Sequence, residues 1–111
     1  MKIWLDDERS MPKGYNYHAH TAQEAVDFLA AGGVTAISLD HDLGDEQNGT
    51  GYEVACFIED GAFHGTLLPI VVSIHSANPV GRDRMEQAIC HAKKYWKRSV
   101  GSIQYNNSSV N

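Results

Sequence analysis

The sequence predicts one α/β domain built on a parallel, doubly wound sheet, and three observations predict it. Short apolar runs rich in strand formers alternate with segments of helical spacing, which implies parallel pairing and right-handed crossovers. Two capping boxes, Thr21-Ala22-Gln23-Glu24 and Thr50-Gly51-Tyr52-Glu53, open helices between those runs. Three of the runs stop abruptly at ionisable residues, and the carboxyl ends of strands are where such sheets place their ligands.

At 111 residues the chain holds one core and is too short for two. A hydrophobic share of 42% with 21% charged residues is that of an ordinary globular domain. No apolar run reaches the roughly 18 residues a membrane span needs. The opening Met1-Lys2-Ile3-Trp4-Leu5-Asp6-Asp7 meets acids too early for a signal peptide. Cys56 and Cys90 lie in helical patterns without metal-ligand spacing and read as small buried hydrophobes of a reduced, cytoplasmic protein. A net charge of −5 argues against an extended nucleic-acid surface. Much of that excess sits in Asp6, Asp7, Asp40 and Asp42, at two strand ends where a cation would neutralise it. Oligomeric state is not legible.

Lys2 to Leu5 is the first strand, ending in Asp6-Asp7-Glu8-Arg9, either an ordinary charged turn or a cation site. Met11-Pro12-Lys13-Gly14 is a turn. Tyr15 to His20 alternates as a brief second strand, with His18 and His20 at its surface or edge. The first helix carries Ala22, Ala25, Val26 and Leu29 at helical spacing and stops at Gly32-Gly33. Thr35 to Leu39 is the third strand, and it runs into Asp40-His41-Asp42. The glycine-rich segment from Leu43 to Gly51 is a loop. The second helix buries Val54, Phe57 and Ile58 and is expected to close at Gly61. Leu67 to Ile74 is the most strand-like run and reads as a buried central strand ending at His75-Ser76-Ala77-Asn78. Asn78 and Pro79 start a last helix whose Met85, Ala88, Ile89, Ala92 and Trp96 face the sheet. Lys93, Lys94, Lys97 and Arg98 crowd its expected end, as the helix dipole favours; a basic RNA-contacting patch is the alternative. Residues 1–98 form the domain and 99–111 a polar tail, which adds a weak fifth strand around Ser102 to Tyr105 or none.

With parallel pairing, the carboxyl ends of strands one, three and four meet at one edge. That edge gathers Asp6, Asp7, Asp40, His41, Asp42, His75 and Ser76.

An acidic pair after strand one, an aspartate after strand three and Ser76-Ala77 after strand four resemble the response-regulator receiver domain, a flavodoxin-like fold. The resemblance implies strand order 2-1-3-4, with Asp6 and Asp7 matching the acidic pair that binds magnesium. It also implies Asp40 as the phosphoacceptor and Ser76 as the switch hydroxyl. The chain departs from that pattern in three ways. Too few residues separate Asp7 from Asp40 for the usual first helix, so a loop replaces it. No Lys-Pro pair follows a fifth strand. His41 and His75 stand where ordinary receivers have neither. The altered set, LDDER, SLDHDLG and HSANPVG, is similar to the cyclic-phosphate processing receiver domains. That resemblance implies a substrate that is a cyclic nucleotide or an RNA end carrying a 2′,3′-cyclic phosphate, and with it a role in RNA repair.

The residues themselves support metal-assisted hydrolysis of a phosphodiester. Asp6, Asp7 and Asp40 offer hard oxygen ligands suited to Mg²⁺ or Mn²⁺. His75 and His41, with ordinary pKa values near 6.5, serve either as general acid and base or as additional ligands, the latter favouring Mn²⁺, Fe or Zn²⁺. Asp42 is a candidate to orient His41. Ser76, Asn78, Arg82 and Arg84, around the start of the last helix, are candidates to hold the phosphate. A receiver phosphorylated on Asp40 and a non-catalytic binder that stacks a base on Tyr15, Tyr17 or Tyr52 are the competing readings. A single site requires Asp6, Asp40 and His75 to lie within about 12 Å of one another.

Overall fold

A computed structural model describes the backbone of residues 1–110 and the side chains of residues 1–99. The elements in order are β1 (Lys2–Leu5), β2 (Tyr17–Ala19), α1 (Ala22–Ala31), β3 (Ala36–Leu39), a 3₁₀ turn (Glu46–Asn48), α2 (Gly51–His64), β4 (Val71–Ile74) and α3 (Pro79–Val110). The four strands pair in parallel in the order β2-β1-β3-β4. Register aligns Ile3 with Ile37 and Val72, and Leu5 with Leu39 and Ile74, so these rows share one face of the sheet. Ile3, Leu5, Ile37 and Leu39 are fully buried there. The other face carries Trp4, Ser38 and Ser73 in one row.

Helix α1 lies against β1 and β2, α2 against α1, and α3 along α2 with its start over β4. Both expected capping threonines act: Thr21 Oγ1 accepts the Glu24 amide and Thr50 Oγ1 the Glu53 amide. The β1–β2 connection contains no helix, as the short spacing to Asp40 requires. Among the described residues no helix is long and apolar enough to cross a membrane.

Several expectations need correction. Helix α2 does not close at Gly61 but runs to His64 and ends on Gly65, whose φ of 72° is left-handed. Gly61 is instead a point of close approach, since a Cβ there would come within 2.7 Å of the Leu67 Cβ. The run from Leu67 to Ile74 is not a central strand. Only Val71–Ile74 pairs, at the sheet edge, with Leu68 80% and Val71 67% exposed. An apolar run fixes strand propensity but not the presence of a further strand beside it. Cys56 is half-buried and Cys90 exposed, because Cys90 follows the buried Ile89 and turns outward by one helical step. Of the two alternatives for Ser102 to Tyr105, a weak strand or none, the second holds, since the segment falls within the span of α3. The same span carries Lys93, Lys94, Lys97 and Arg98 in its interior, not in its last turn, and the polar tail's side chains lie outside the described residues from 100 onward.

The core side chains of α3, Met85, Ala88, Ile89, Ala92 and Trp96, are all buried as their spacing predicts. They pack chiefly along α2 rather than on the sheet. Trp96 also donates its indole N–H to the Leu67 carbonyl at 2.8 Å, tying α3 to the turn that follows α2.

Candidate active site

The chain turns at the end of β1 because Asp6 turns it. Its Oδ1 accepts the amides of Glu8 and Arg9, both at 2.8 Å, so the side chain folds the following backbone around itself. The carboxylate is fully buried. Its second oxygen, Oδ2, lies 3.0 Å from His75 Nε2, delivered from the end of β4, and 3.6 Å from the Arg9 guanidinium. Asp40, at the end of β3 and 8% exposed, takes the His41 amide on Oδ1 at 2.8 Å. Asp6, Asp40 and His75 each present a ligand atom within 4.8 Å of the others. The single-site requirement is met with room to spare.

The backbone around these groups is packed too tightly for side chains. A Cβ on Gly51, the first residue of α2, would sit 1.9 Å from the Asp40 carbonyl oxygen. The Gly51 amide donates to the His41 carbonyl at 2.9 Å, and Asp42 bridges to Thr50. These contacts bind the start of α2 to the strand end that carries Asp40.

A cavity of about 490 Å³ opens over the cluster, lined by Asp6, Asp7, Glu8, Arg9, Asp40, Asp42, Gly44 and Ala77. Asp7 faces it but is not among the three convergent ligands; its Oδ2 lies against Gly44. Among the described residues Arg9 is the one basic residue in this lining. Its guanidinium donates to the His75 carbonyl at 2.9 Å and stays half-exposed, with donors to spare for an anion. Sequence reasoning missed Arg9. The signal was its position three residues after Asp6, the spacing at which a side-chain-capped turn folds back.

The other expected residues are placed differently. His41 turns its ring toward Asp42, with Nδ1 at 2.9 Å from Asp42 Oδ1, and packs against Gly81 so closely that a Cβ there would fall 2.4 Å from its Cγ. Asp42 thus does contact His41, although residues adjacent on a strand point apart, because regular pairing of β3 ends at Leu39. Asn78 caps α3 by accepting the Gly81 amide at 3.0 Å, and its amide group reaches Asp42 at 3.3 Å. Ser76 is buried and accepts the Asn78 amide, so its hydroxyl serves the turn. Arg82 and Arg84 do not line the cavity. Arg82 donates to the Ile74 carbonyl and Glu86, and Arg84 lies over the Tyr52 ring. An exposed helix face there offers each arginine a nearer partner than the cavity.

The charges are unequally accommodated. Burial by itself would push the Asp6 carboxyl up, but the Arg9 and Glu8 amides and the His75 ring hold it below the usual carboxylate range. Asp40 goes the other way: burial and the neighbouring Asp6 charge raise it, and the His41 amide, His75 and Arg9 offset only part. Burial pulls His75 below the usual imidazole range despite both aspartates. The hydrogen bond from His41, with help from Asn78, holds Asp42 low.

The sign of the Asp40 shift sets a prediction. A carboxyl with a raised folded pKa costs stability at neutral pH, and that cost disappears as pH falls through the raised value. Asp40→Asn keeps the acceptor for the His41 amide and removes the charge. It is therefore more resistant to urea than the wild type at pH 7 without divalent cations, and the difference shrinks on acidification. Equal resistance at pH 7 would show that the Asp40 charge is already compensated.

The family model described as "Cyclic-phosphate processing Receiver domain" matches residues 1–91, which takes in β1 through the core-forming part of α3. No curated protein and no solved structure matches the chain.

Proposed function

Because the chain belongs to the cyclic-phosphate processing receiver domain family, we propose that it is a divalent-metal-dependent phosphoesterase acting on a cyclic phosphate, either a 2′,3′-cyclic phosphate RNA end or a cyclic nucleotide. The observation that carries this reading is the convergence of Asp6, Asp40 and His75 within 4.8 Å beneath an open cavity. Two buried carboxylates this close, one of them raised by burial and by the other's charge, form a set of oxygen donors that a divalent cation would relieve. Asp6, Asp40 and His75 would hold the ion, Mg²⁺ or Mn²⁺ fitting the oxygens and Mn²⁺ the imidazole best. When bound, the cation supplies polarisation of the phosphoryl oxygens and a water of lowered pKa.

The chain's own groups do the rest. Arg9 holds a non-bridging phosphoryl oxygen through its free donors. His75 either ligates the cation or donates a proton to the departing ribose oxygen through Nε2, the atom that faces the cluster. Asp42, His41 and Asn78 hold the rim, and the His41 amide orients Asp40. Hydrolysis turns a singly charged diester into a monoester that carries up to two charges. The acidic lining of Asp6, Asp7, Glu8, Asp40 and Asp42 favours release of that product.

Neither competing reading gains an observation. Among the described residues no lysine lines the cavity to contact a phosphoryl group on Asp40. The tyrosines offered for base stacking are placed against Trp4 (Tyr15), Phe28 (Tyr17) and Arg84 (Tyr52), and none lines the cavity. Incubation with 2′,3′- and 3′,5′-cyclic nucleotides, with and without Mn²⁺, tests the activity. For the metal, Mn²⁺ raises the melting temperature of the wild type by binding the folded state, and Asp40→Asn abolishes that increase. An equal increase in both proteins places the cation elsewhere.

A further inference from the structure

His75 is held from three sides, and two of the holders have no part in the site as described so far. Ser38 Oγ lies 2.7 Å from His75 Nδ1, the nitrogen remote from Asp6. The Trp4 indole lies flat against the ring, with centroids 3.8 Å apart and planes 7° from parallel. Both partners sit in one register row on the second face of the sheet, Trp4 beside Ser38. Among the described residues the buried Trp4 indole N–H has no hydrogen-bond partner, so what that residue offers here is its face.

Ser38, His75 and Asp6 repeat the composition of a hydrolytic triad, with an imidazole between a hydroxyl and a carboxylate. Ser38 is not its nucleophile. It is 2% exposed and does not line the cavity, so no phosphoryl group reaches it. Its hydroxyl acts on the ring alone.

We propose that Ser38 is a positioning residue: its hydroxyl partners His75 Nδ1 in both neutral tautomers and thereby lets Nε2 serve either Asp6 or a cation. In the metal-free protein Nε2–H donates to Asp6, and Nδ1 accepts from the Ser38 hydroxyl. A ligand nitrogen must be free of its proton. For Nε2 to ligate, its proton leaves to solvent and a proton from solvent is taken up at Nδ1. The ring stays neutral, and Ser38 changes from donor to acceptor. A hydroxyl does both by rotating, which neither a carbonyl nor an ammonium can do. Trp4 keeps the ring plane fixed through the exchange.

The inference rests on the metal reading for its second half and stands without it for its first. Full-length protein with ¹⁵N-labelled histidine reports both through the imidazole nitrogen signals, with His75 assigned by its loss in His75→Gln. Without metal, His75 shows Nε2–H and a hydrogen-bonded Nδ1; with Zn²⁺ alone, which is diamagnetic, it shows Nδ1–H. Ser38→Ala removes the hydrogen-bond signature at Nδ1 and weakens Zn²⁺ binding about 10–100-fold, the usual effect of losing a histidine's outer partner. Ser38→Thr, which keeps the hydroxyl, restores both. Unchanged Nδ1 signals and unchanged Zn²⁺ affinity in Ser38→Ala overturn the proposal, as does a wild-type ring carrying its proton on Nδ1 before metal is added. Wild-type His75 signals that ignore Zn²⁺ while Ser38→Ala still alters Nδ1 would sink the metal reading and leave the positioning role of Ser38.

Discussion

His75→Ala lowers cyclic-phosphate turnover by about 10²–10⁴-fold, the usual worth of a general acid–base group, and leaves the fold intact. The fold survives because Asp6 keeps its two backbone donors, the amides of Glu8 and Arg9, when the imidazole goes. The loss is large because, among the described residues, His75 is the one imidazole that converges with Asp6 and Asp40. His75→Gln divides the two roles. It keeps an amide able to hydrogen-bond Asp6 but cannot exchange a proton. Retained Mn²⁺ stabilisation with lost turnover identifies proton transfer; loss of both identifies ligation. Full turnover in His75→Ala would remove the residue from the mechanism.

Gly51→Ala lowers the melting temperature by more than about 10 °C and removes the stabilisation by Mn²⁺. A methyl group at this position would occupy the Asp40 carbonyl, 1.9 Å from the ideal Cβ, and 3.0 Å from the Met85 sulfur. Backbone cannot yield as a flexible side chain does, so the start of α2 must move off the end of β3. Overpacking of this kind costs about 3 kcal/mol, and each kcal/mol moves the midpoint of a domain this size by roughly 4–8 °C. Moving that strand end displaces Asp40 from Asp6 and His75, which couples the stability defect to the site. Thermal denaturation with and without Mn²⁺ checks both effects. A variant as stable as the wild type would mean that the helix start tolerates a shift of more than an ångström.

The strand ends were legible because charge at the end of an apolar run is costly unless it is used. Asp6, Asp40 and His75 could be brought together on alternation of strands and helices alone. Both capping boxes were equally visible, since a threonine three residues before a glutamate needs only local geometry. What stayed hidden depends on tertiary neighbours. Glycine at position 61 looks like a helix stop in sequence and proves to be a contact with Leu67. An apolar run from Leu67 to Ile74 cannot say whether another strand lies beyond it. Arg82 and Arg84 look well placed at a helix start, but their nearer partners are Ile74, Glu86 and Tyr52. Arg9 looks like the end of a charged turn until the Asp6 side chain is seen to fold that turn over the cavity. Ser38 reads as one more residue of a buried strand, and only the register that sets it beside Trp4 under the His75 ring shows its use.

The central claim is hydrolysis of a cyclic phosphate by this cluster, and ³¹P NMR of a short RNA ending in a 2′,3′-cyclic phosphate tests it most directly. Incubated with the protein and Mn²⁺, the cyclic phosphate signal converts to that of a 2′- or 3′-phosphomonoester; with a chelator, or with Asp40→Asn, it does not. An unchanged spectrum with this RNA and with both classes of cyclic nucleotide, together with a stable acyl-phosphate on Asp40 after exposure to a small phosphodonor, would contradict the claim and make the domain a signalling receiver.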